Sequence, residues 1–189
     1  MHAVTRAFAS PEVCHLRPEG LGAAHAALVA GRSPWLSRAA LLALGDREVI
    51  QVRRGGRVVA AAAITSATMW GKPLGEFVAG GRPVQAALRT LRLADRRLAL
   101  RLRVCGEPTL GGAHGLAFAP DATAADRLAL ADALRADARR HGARGVLVKE
   151  LVGPLAGLGE ALCEADYCHF QAGPAMVLAL DPAWRSFDE

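Results

Sequence analysis

The sequence predicts one α/β domain, a mixed central β-sheet flanked by helices, and three observations predict it. A hairpin signal, a strand–helix–strand succession and a closing helix–strand–strand unit follow one another along 189 residues, 52% of them hydrophobic. That length fills one good core and is short for two full-sized domains.

The elements can be justified in order. Ser33, Pro34 and Gly45 punctuate a helix with an N-cap type, a first-turn proline and a terminal glycine. Trp35, Leu36, Leu42 and Leu44 supply its buried side. Residues 48–53 carry Val49, Ile50 and Val52, Gly55-Gly56 makes a two-residue turn, and residues 57–65 form a Val/Ala/Ile run, which together predict a β-hairpin. Residues 72–82 are rich in Gly and Pro and read as a loop. Pro83 opens a helix in which Val84, Leu88 and Leu91 share one face while Arg89, Arg92 and Arg96 share another.

Past Arg97 the period changes to two. Leu98, Leu100, Leu102 and Val104 alternate with Ala99, Arg101, Arg103 and Cys105, a strand with one wetter face. The glycines and proline of residues 106–115 preclude regular structure, and a strand resumes at 116–118. Thr123 sits three before Asp126, a relative of the capping box, and a helix follows through His141 with Leu130 and Leu134 one turn apart. Arg139, Arg140 and His141 suit its negative end, and Gly142 closes it. The apolar strand Val146-Leu147-Val148 comes next, then a helix over 154–165, a strand over 167–171, the Gly173-Pro174 turn and a last strand over 175–180. Ser186 to Glu189 then has the form of a capping box that announces a further helix. The expected organisation is one domain over 1–180, with 181–189 starting a linker or helix into a second domain beyond the chain.

Composition narrows the function classes. No run of about 18 apolar residues occurs and the first ten residues do not resemble a signal peptide, so a cytoplasmic protein is expected. Cys14, Cys105, Cys163 and Cys168 lie far apart or in a Cys-x4-Cys spacing foreign to zinc sites, so neither disulfides nor metal are expected and the cysteines read as small core residues. The net charge of +5 is built almost wholly from arginine, Lys72 and Lys149 being the lysines. Arginine can simply write solvated surface, or its forks can hold phosphates of coenzyme A or tRNA. Arg89, Arg92, Arg96, Arg101 and Arg103 are the series that a basic face would use, though no aromatic platform is interleaved with them.

The stretches Val104-Cys105-Gly106-Glu107-Pro108, Gly112-Ala113-His114-Gly115, Val146-Leu147-Val148-Lys149-Glu150 and the ending from Pro174 through Trp184-Arg185-Ser186-Phe187-Asp188-Glu189 resemble bacterial Fem-like proteins, often described as peptidoglycan biosynthesis or recognition proteins. The element order is also similar to the GCN5-related N-acetyltransferase (GNAT) fold. The resemblance implies a GNAT-like acyltransferase fold, commonly in tandem, with this chain the N-terminal half. It implies transfer of an acyl or aminoacyl group to an amine, with acyl-CoA (acetyl-CoA) or aminoacyl-tRNA as donor and a small molecule or cell-wall precursor as acceptor. The alternatives are a complete small acetyl-CoA-dependent N-acetyltransferase that forms a homodimer, and a noncatalytic binding domain that kept the fold.

GNAT enzymes usually hold the coenzyme pyrophosphate on a glycine-rich turn at a helix N-terminus. Here the turn Ala119-Pro120-Asp121-Ala122-Thr123 has no glycine and carries an acid, which suits pyrophosphate poorly. Arg103-Val104-Cys105-Gly106 matches the first half of the family's Arg/Gln-x-x-Gly pattern. Arg103, Gly106, Gly112 and Gly115 are therefore the candidate cofactor-binding residues. His114, in a loop whose glycines admit close backbone approach, and Glu150, at a strand end where open α/β sheets bind ligands, are the candidate catalytic residues. Cys168 and His169 are consecutive in an expected strand and should face apart, so they make no nucleophile pair. Trp35, Trp70 and Trp184 read as core.

Overall fold

The hairpin turn shows how local chemistry sets the frame. Gly55 and Gly56 have φ of +58° and +79°, the two left-handed residues that match the twist of the strands they join. In the computed structural model, which describes residues 10–70, 99–106, 115–149, 151 and 155–168, the flanking strands are β2 (Glu48–Arg54) and β3 (Arg57–Trp70). Ahead of them lie β1 (Glu12–Leu16), a 3-10 turn at Pro18–Gly20, α1 (Ala23–Val29), a second 3-10 turn at Pro34–Leu36 and α2 (Arg38–Ala43). After them come β4 (Ala99–Cys105), β5 (Leu116–Phe118), α3 (Ala124–Arg140), β6 (Gly145–Val148) and α4 (Ala156–Glu164).

The sheet runs β1-β2-β3-β4-β6, with β5 also on β3. All pairs are antiparallel except β4 with β6, so the sheet is mixed. Val49 to Val52 of β2 and Ala60 to Ile64 of β3 are buried without alternation, the sign of a sheet covered on both faces. The side-chain partners assign the covers. Gln51 donates to His25 Nδ1 of α1 (3.1 Å), whereas Glu48, three residues earlier, meets Arg103 on the side of α3. Residues three apart on a strand point opposite ways, so α1 and α3 lie on opposite faces. His25, 2% exposed, is satisfied on both nitrogens, since Nε2 also lies 2.8 Å from the Leu36 carbonyl.

Several expectations change. The helix expected from Ser33 is divided: Ser33 makes no cap bond, while the Ser37 hydroxyl accepts from Ala40 N–H (3.2 Å) and starts α2 anew. Leu36 and Leu41 are buried, but Trp35 and Leu42 are exposed, because the division rotates the apolar stripe. On β4, Arg103 and Cys105 belong to the face expected to be wetter, yet both are buried under α3. Cys163 and Cys168 are exposed rather than core. Tyr167 and Cys168 are not in a strand; Tyr167 instead donates its hydroxyl to the Ala131 carbonyl (3.0 Å) and ties the end of α4 to α3. The capping box at Thr123 and Asp126 is present in full, and Leu130 and Leu134 are core as expected. The Pro83 helix, the strand at 175–180 and the Ser186–Glu189 cap, with the domain division they support, lie outside the described residues.

Arg103 is the deepest charge in the sheet. Its Nε donates to Asp137 Oδ2 (2.6 Å), one terminal nitrogen to Ser66 Oγ (2.8 Å) and the other to Glu48 Oε2. Arg103→Met removes the partner of two carboxylates, one of them 1% exposed, and is expected to cost roughly 3–5 kcal/mol of unfolding free energy in urea melts. A loss below about 1 kcal/mol would show that the network contributes little to the fold.

Candidate functional site

β4 ends and β5 begins on the same edge of β3, held by one residue. Ala63 N–H donates to the Gly115 carbonyl (2.8 Å), and the Ala63 carbonyl accepts from Gly106 N–H (3.2 Å). The chain therefore departs at Gly106 and re-enters at Gly115 through a single point. Gly106 has φ of +117°, and a Cβ on Gly115 would lie 2.2 Å from Gly106 Cα and 2.4 Å from its nitrogen. Two glycines are required here, one by its dihedral and one by contact. Lys149 joins them: its N–H donates to the Cys105 carbonyl (3.1 Å), and a Cβ on Gly106 would meet Lys149 Cβ at 3.4 Å.

The sheet opens at this junction. β6 runs parallel to β4 as far as the Cys105–Val148 pair. Beyond it, β5 has β3 on one side and, among the described residues, no strand on the other. An edge of that kind presents backbone N–H and C=O groups to whatever extended, amide-bearing group lies alongside. Cys105, just before the opening, is fully buried, and burial pushes its thiol up to about 12, so it remains a neutral S–H and is not a nucleophile at neutral pH.

The sequence candidates fall unevenly around this junction. Gly106 and Gly115 are brought into contact. His114, Gly112 and Glu150 lie outside the described residues; Gly115 and Lys149, the chain neighbours of His114 and Glu150, both abut Gly106. Arg103 lies on β4 two residues before Cys105, with its charge spent on Asp137 and Glu48, and at 4% exposure it belongs to no basic surface. The arginine face thus loses one expected member, while Arg101 is exposed. His169 lies outside the described residues, so the Cys168–His169 pair has only its exposed cysteine described. The Trp35 side chain, expected in the core, is 37% exposed.

The turn into α3 is a second feature, and part of it was not legible. Thr123 N–H and Oγ both donate to Asp126 Oδ2 (2.7 and 2.8 Å), closing the box. Arg54 donates to the same oxygen (2.7 Å) and to Asp121, and Arg57 pairs with Asp121 as well. The Arg57 guanidinium holds the Asp121 carboxyl below its ordinary value. Arg54 and Arg57 flank the hairpin turn in sequence, where arginines ordinarily read as solvated surface; the only local hint was the acid already noted in the α3 turn.

The described residues thus make a mixed α/β sheet that opens beside the parallel pair β4 and β6. No family model matches the chain, and no curated protein does. Among solved structures it is similar to a ribosomal-protein-alanine N-acetyltransferase from Brucella melitensis biovar Abortus 2308, at 15% identity and a TM-score of 0.50 over 90% of this chain and 100% of that one. The aminoglycoside N-acetyltransferase AAC(6')-Iy in complex with CoA aligns at 11% identity and a TM-score of 0.47 over 96% of this chain and 100% of that one, too distant to add to the argument. The chain has the GNAT acetyltransferase fold.

Two outcomes check this junction. Gly115→Ala forces backbone apart and is expected to destabilise by about 3 kcal/mol or more, the upper range for overpacking, whereas a melt equal to wild type would mean the two glycines do not touch. In timed thiol labelling at pH 8, Cys163 and Cys168 are expected to react at once and Cys105 only on unfolding; fast labelling of Cys105 in the native state would contradict its burial.

Proposed function

We propose that this chain is a GNAT-fold N-acyltransferase domain that takes an acyl-CoA such as acetyl-CoA and acylates an amine. The observation that carries the reading is the opening of the sheet at Gly106, Gly115 and Lys149. An acyl-CoA arm carries amides that suit the uncovered edge of β5, and the two glycines let the reacting carbonyl approach backbone closely. The amine nitrogen bonds to the acyl carbon, the carbon–sulfur bond breaks, and the coenzyme leaves as a thiolate that takes up a proton. The amine must lose a proton as it attacks, and His114 and Glu150 are the proposed acceptors, because their chain neighbours meet at Gly106. Gly106, Gly112 and Gly115 are proposed to line the donor path, with Arg103 fixing the strand from which that path departs.

The donor phosphates are assigned to the side of Arg54 and Arg57, next to the start of α3. They have to draw these guanidiniums from Asp121. The Fem-like resemblance adds a finer reading: aminoacyl-tRNA as donor, a cell-wall precursor as acceptor and a second GNAT-like domain following this one. That finer reading rests on the sequence stretches that carry the resemblance, while the element order supports the GNAT fold.

Calorimetry separates these readings. Acetyl-CoA is expected to bind one per chain, to weaken as salt rises, and to bind more tightly to Asp121→Asn. Absence of binding at low salt sinks the acyl-CoA reading. Binding of tRNA in the same cell with none of acetyl-CoA would favour the aminoacyl donor.

A further inference from the structure

On the face of the sheet under α3, the Arg103 network leaves one buried acceptor without a donor among the described residues. Asp137 is 1% exposed; Arg103 occupies its Oδ2, and its buried Oδ1 accepts no hydrogen bond from the described residues. Two imidazoles stand beside that oxygen. His15 Nδ1 of β1 is 3.6 Å away, and His141 Nδ1, at the end of α3, is 3.3 Å away. His141 Nδ1 is also 2.9 Å from the Asp137 backbone carbonyl, the better partner for a single N–H. That bond leaves Nε2 as the nitrogen with the lone pair, and Nε2 lies 3.6 Å from Glu48 Oε2.

The separations have a chemical meaning. Donor atoms that share a small divalent ion at roughly 2.0–2.2 Å stand about 3–3.6 Å from one another, and His141 Nε2 and Glu48 Oε2 are 3.6 Å apart. One donor atom each from Glu48, Asp137 and His141 lie within 4.8 Å of one another, and His15 borders the group through Asp137. A ligand histidine usually gives its second N–H to a carbonyl or carboxylate, and a ligand carboxylate usually has its other oxygen hydrogen-bonded. His141 does the first through the Asp137 carbonyl, and Asp137 does the second through Arg103.

Charge points the same way. Asp137 and Glu48 carry two negative charges against the one buried cation Arg103, while Arg17 reaches Glu48 Oε1 (3.5 Å) from a side chain 64% exposed. Asp137 Oδ1 is buried with no hydrogen-bond donor among the described residues, and a buried carboxylate oxygen left so favours a bound cation. Arg103, Arg17 and Arg140 all stand nearby, and their repulsion makes a weak site rather than a permanent one.

We propose that Glu48, Asp137 and His141, with His15 at their border, bind one divalent transition-metal cation of the Zn2+, Co2+ or Ni2+ type. The mixed imidazole and carboxylate set suits these ions better than Mg2+ or Ca2+, which prefer all-oxygen shells. The ion would join β1, β2 and α3, the elements that carry these four residues. No motif spacing signals it, because the donors come from separate parts of the chain.

The test is Co2+ titration of the full chain with Cys14, Cys163 and Cys168 changed to Ser, followed by visible absorption and by thermal melts with Zn2+. One Co2+ per chain is expected, with visible d–d bands, no thiolate charge-transfer band, and a rise in melting temperature that EDTA reverses. His141→Gln is expected to weaken binding about 10-fold or more, and His15→Gln to weaken it to a smaller degree, with the metal-free melts of both near that of the parent. Failure of Co2+, Zn2+ and Ni2+ to bind the parent overturns the site. So does equal affinity in both variants, which would place the metal on other histidines.

Discussion

The Arg103 guanidinium holds the parts of this sheet in relation to one another. It sits on β4 and reaches Asp137 of α3, Glu48 of β2 and Ser66 of β3. A guanidinium that is 5% exposed has lost most of its hydration, and such a charge is tolerated only where partners replace the water. The arrangement is therefore specific more than it is strong. A register slip of β4 by one residue would turn Arg103 to the opposite face and leave Asp137 with its charge buried and unpaired. Both consequences are costly, so the alternatives to the observed register are removed.

The opening of the sheet depends on that fixed register. Cys105 shares the Arg103 face and forms the last pair of β4 with both β3 and β6, immediately before the chain departs at Gly106. Ala63 then receives the departing and the returning strand on its two backbone groups. The neighbouring alanines, Ala60 to Ala62, are fully buried and small, which lets helices approach β3 from both faces while its edge stays committed to the junction. Strands on either side of a chain departure are the usual means of presenting the intervening residues to a ligand, because the scaffold fixes their positions.

Much of this frame was legible where the signal is local. The double glycine of the hairpin, the Thr123–Asp126 box and the apolar pair Leu130 and Leu134 each act within a few residues, and each appears as read. The readings that changed involve partners far apart in sequence. Arg103 alternates with leucines as a solvent-facing residue would, and its burial follows from Asp137, 34 residues later. Ser33 has the better sequence for a cap, but Ser37 has the geometry, and the helix divides accordingly. At the candidate site the residues expected to form a glycine-rich loop between Gly106 and Gly115 lie outside the described residues. That Gly106 and Gly115 press against each other could not be read, since a loop glycine looks the same whether it grants freedom or contact.

The start of α3 carries its own counter-charge. A helix N-terminus attracts phosphate through N–H groups that lack partners and through the dipole. Here Asp126 places a carboxylate at that end, takes the Thr123 N–H and is itself neutralised by Arg54. The attraction that the dipole would offer is thereby answered from within the chain. What remains for an incoming anion is Arg57, 59% exposed, and the share of Arg54 now given to Asp121. These are charges near solvent, screened by salt and paired already, so they discriminate weakly between a pyrophosphate and other polyanions. On the proposed acyl-CoA reading, selectivity for the donor comes from the Gly106 and Gly115 junction, where close backbone contact reads shape.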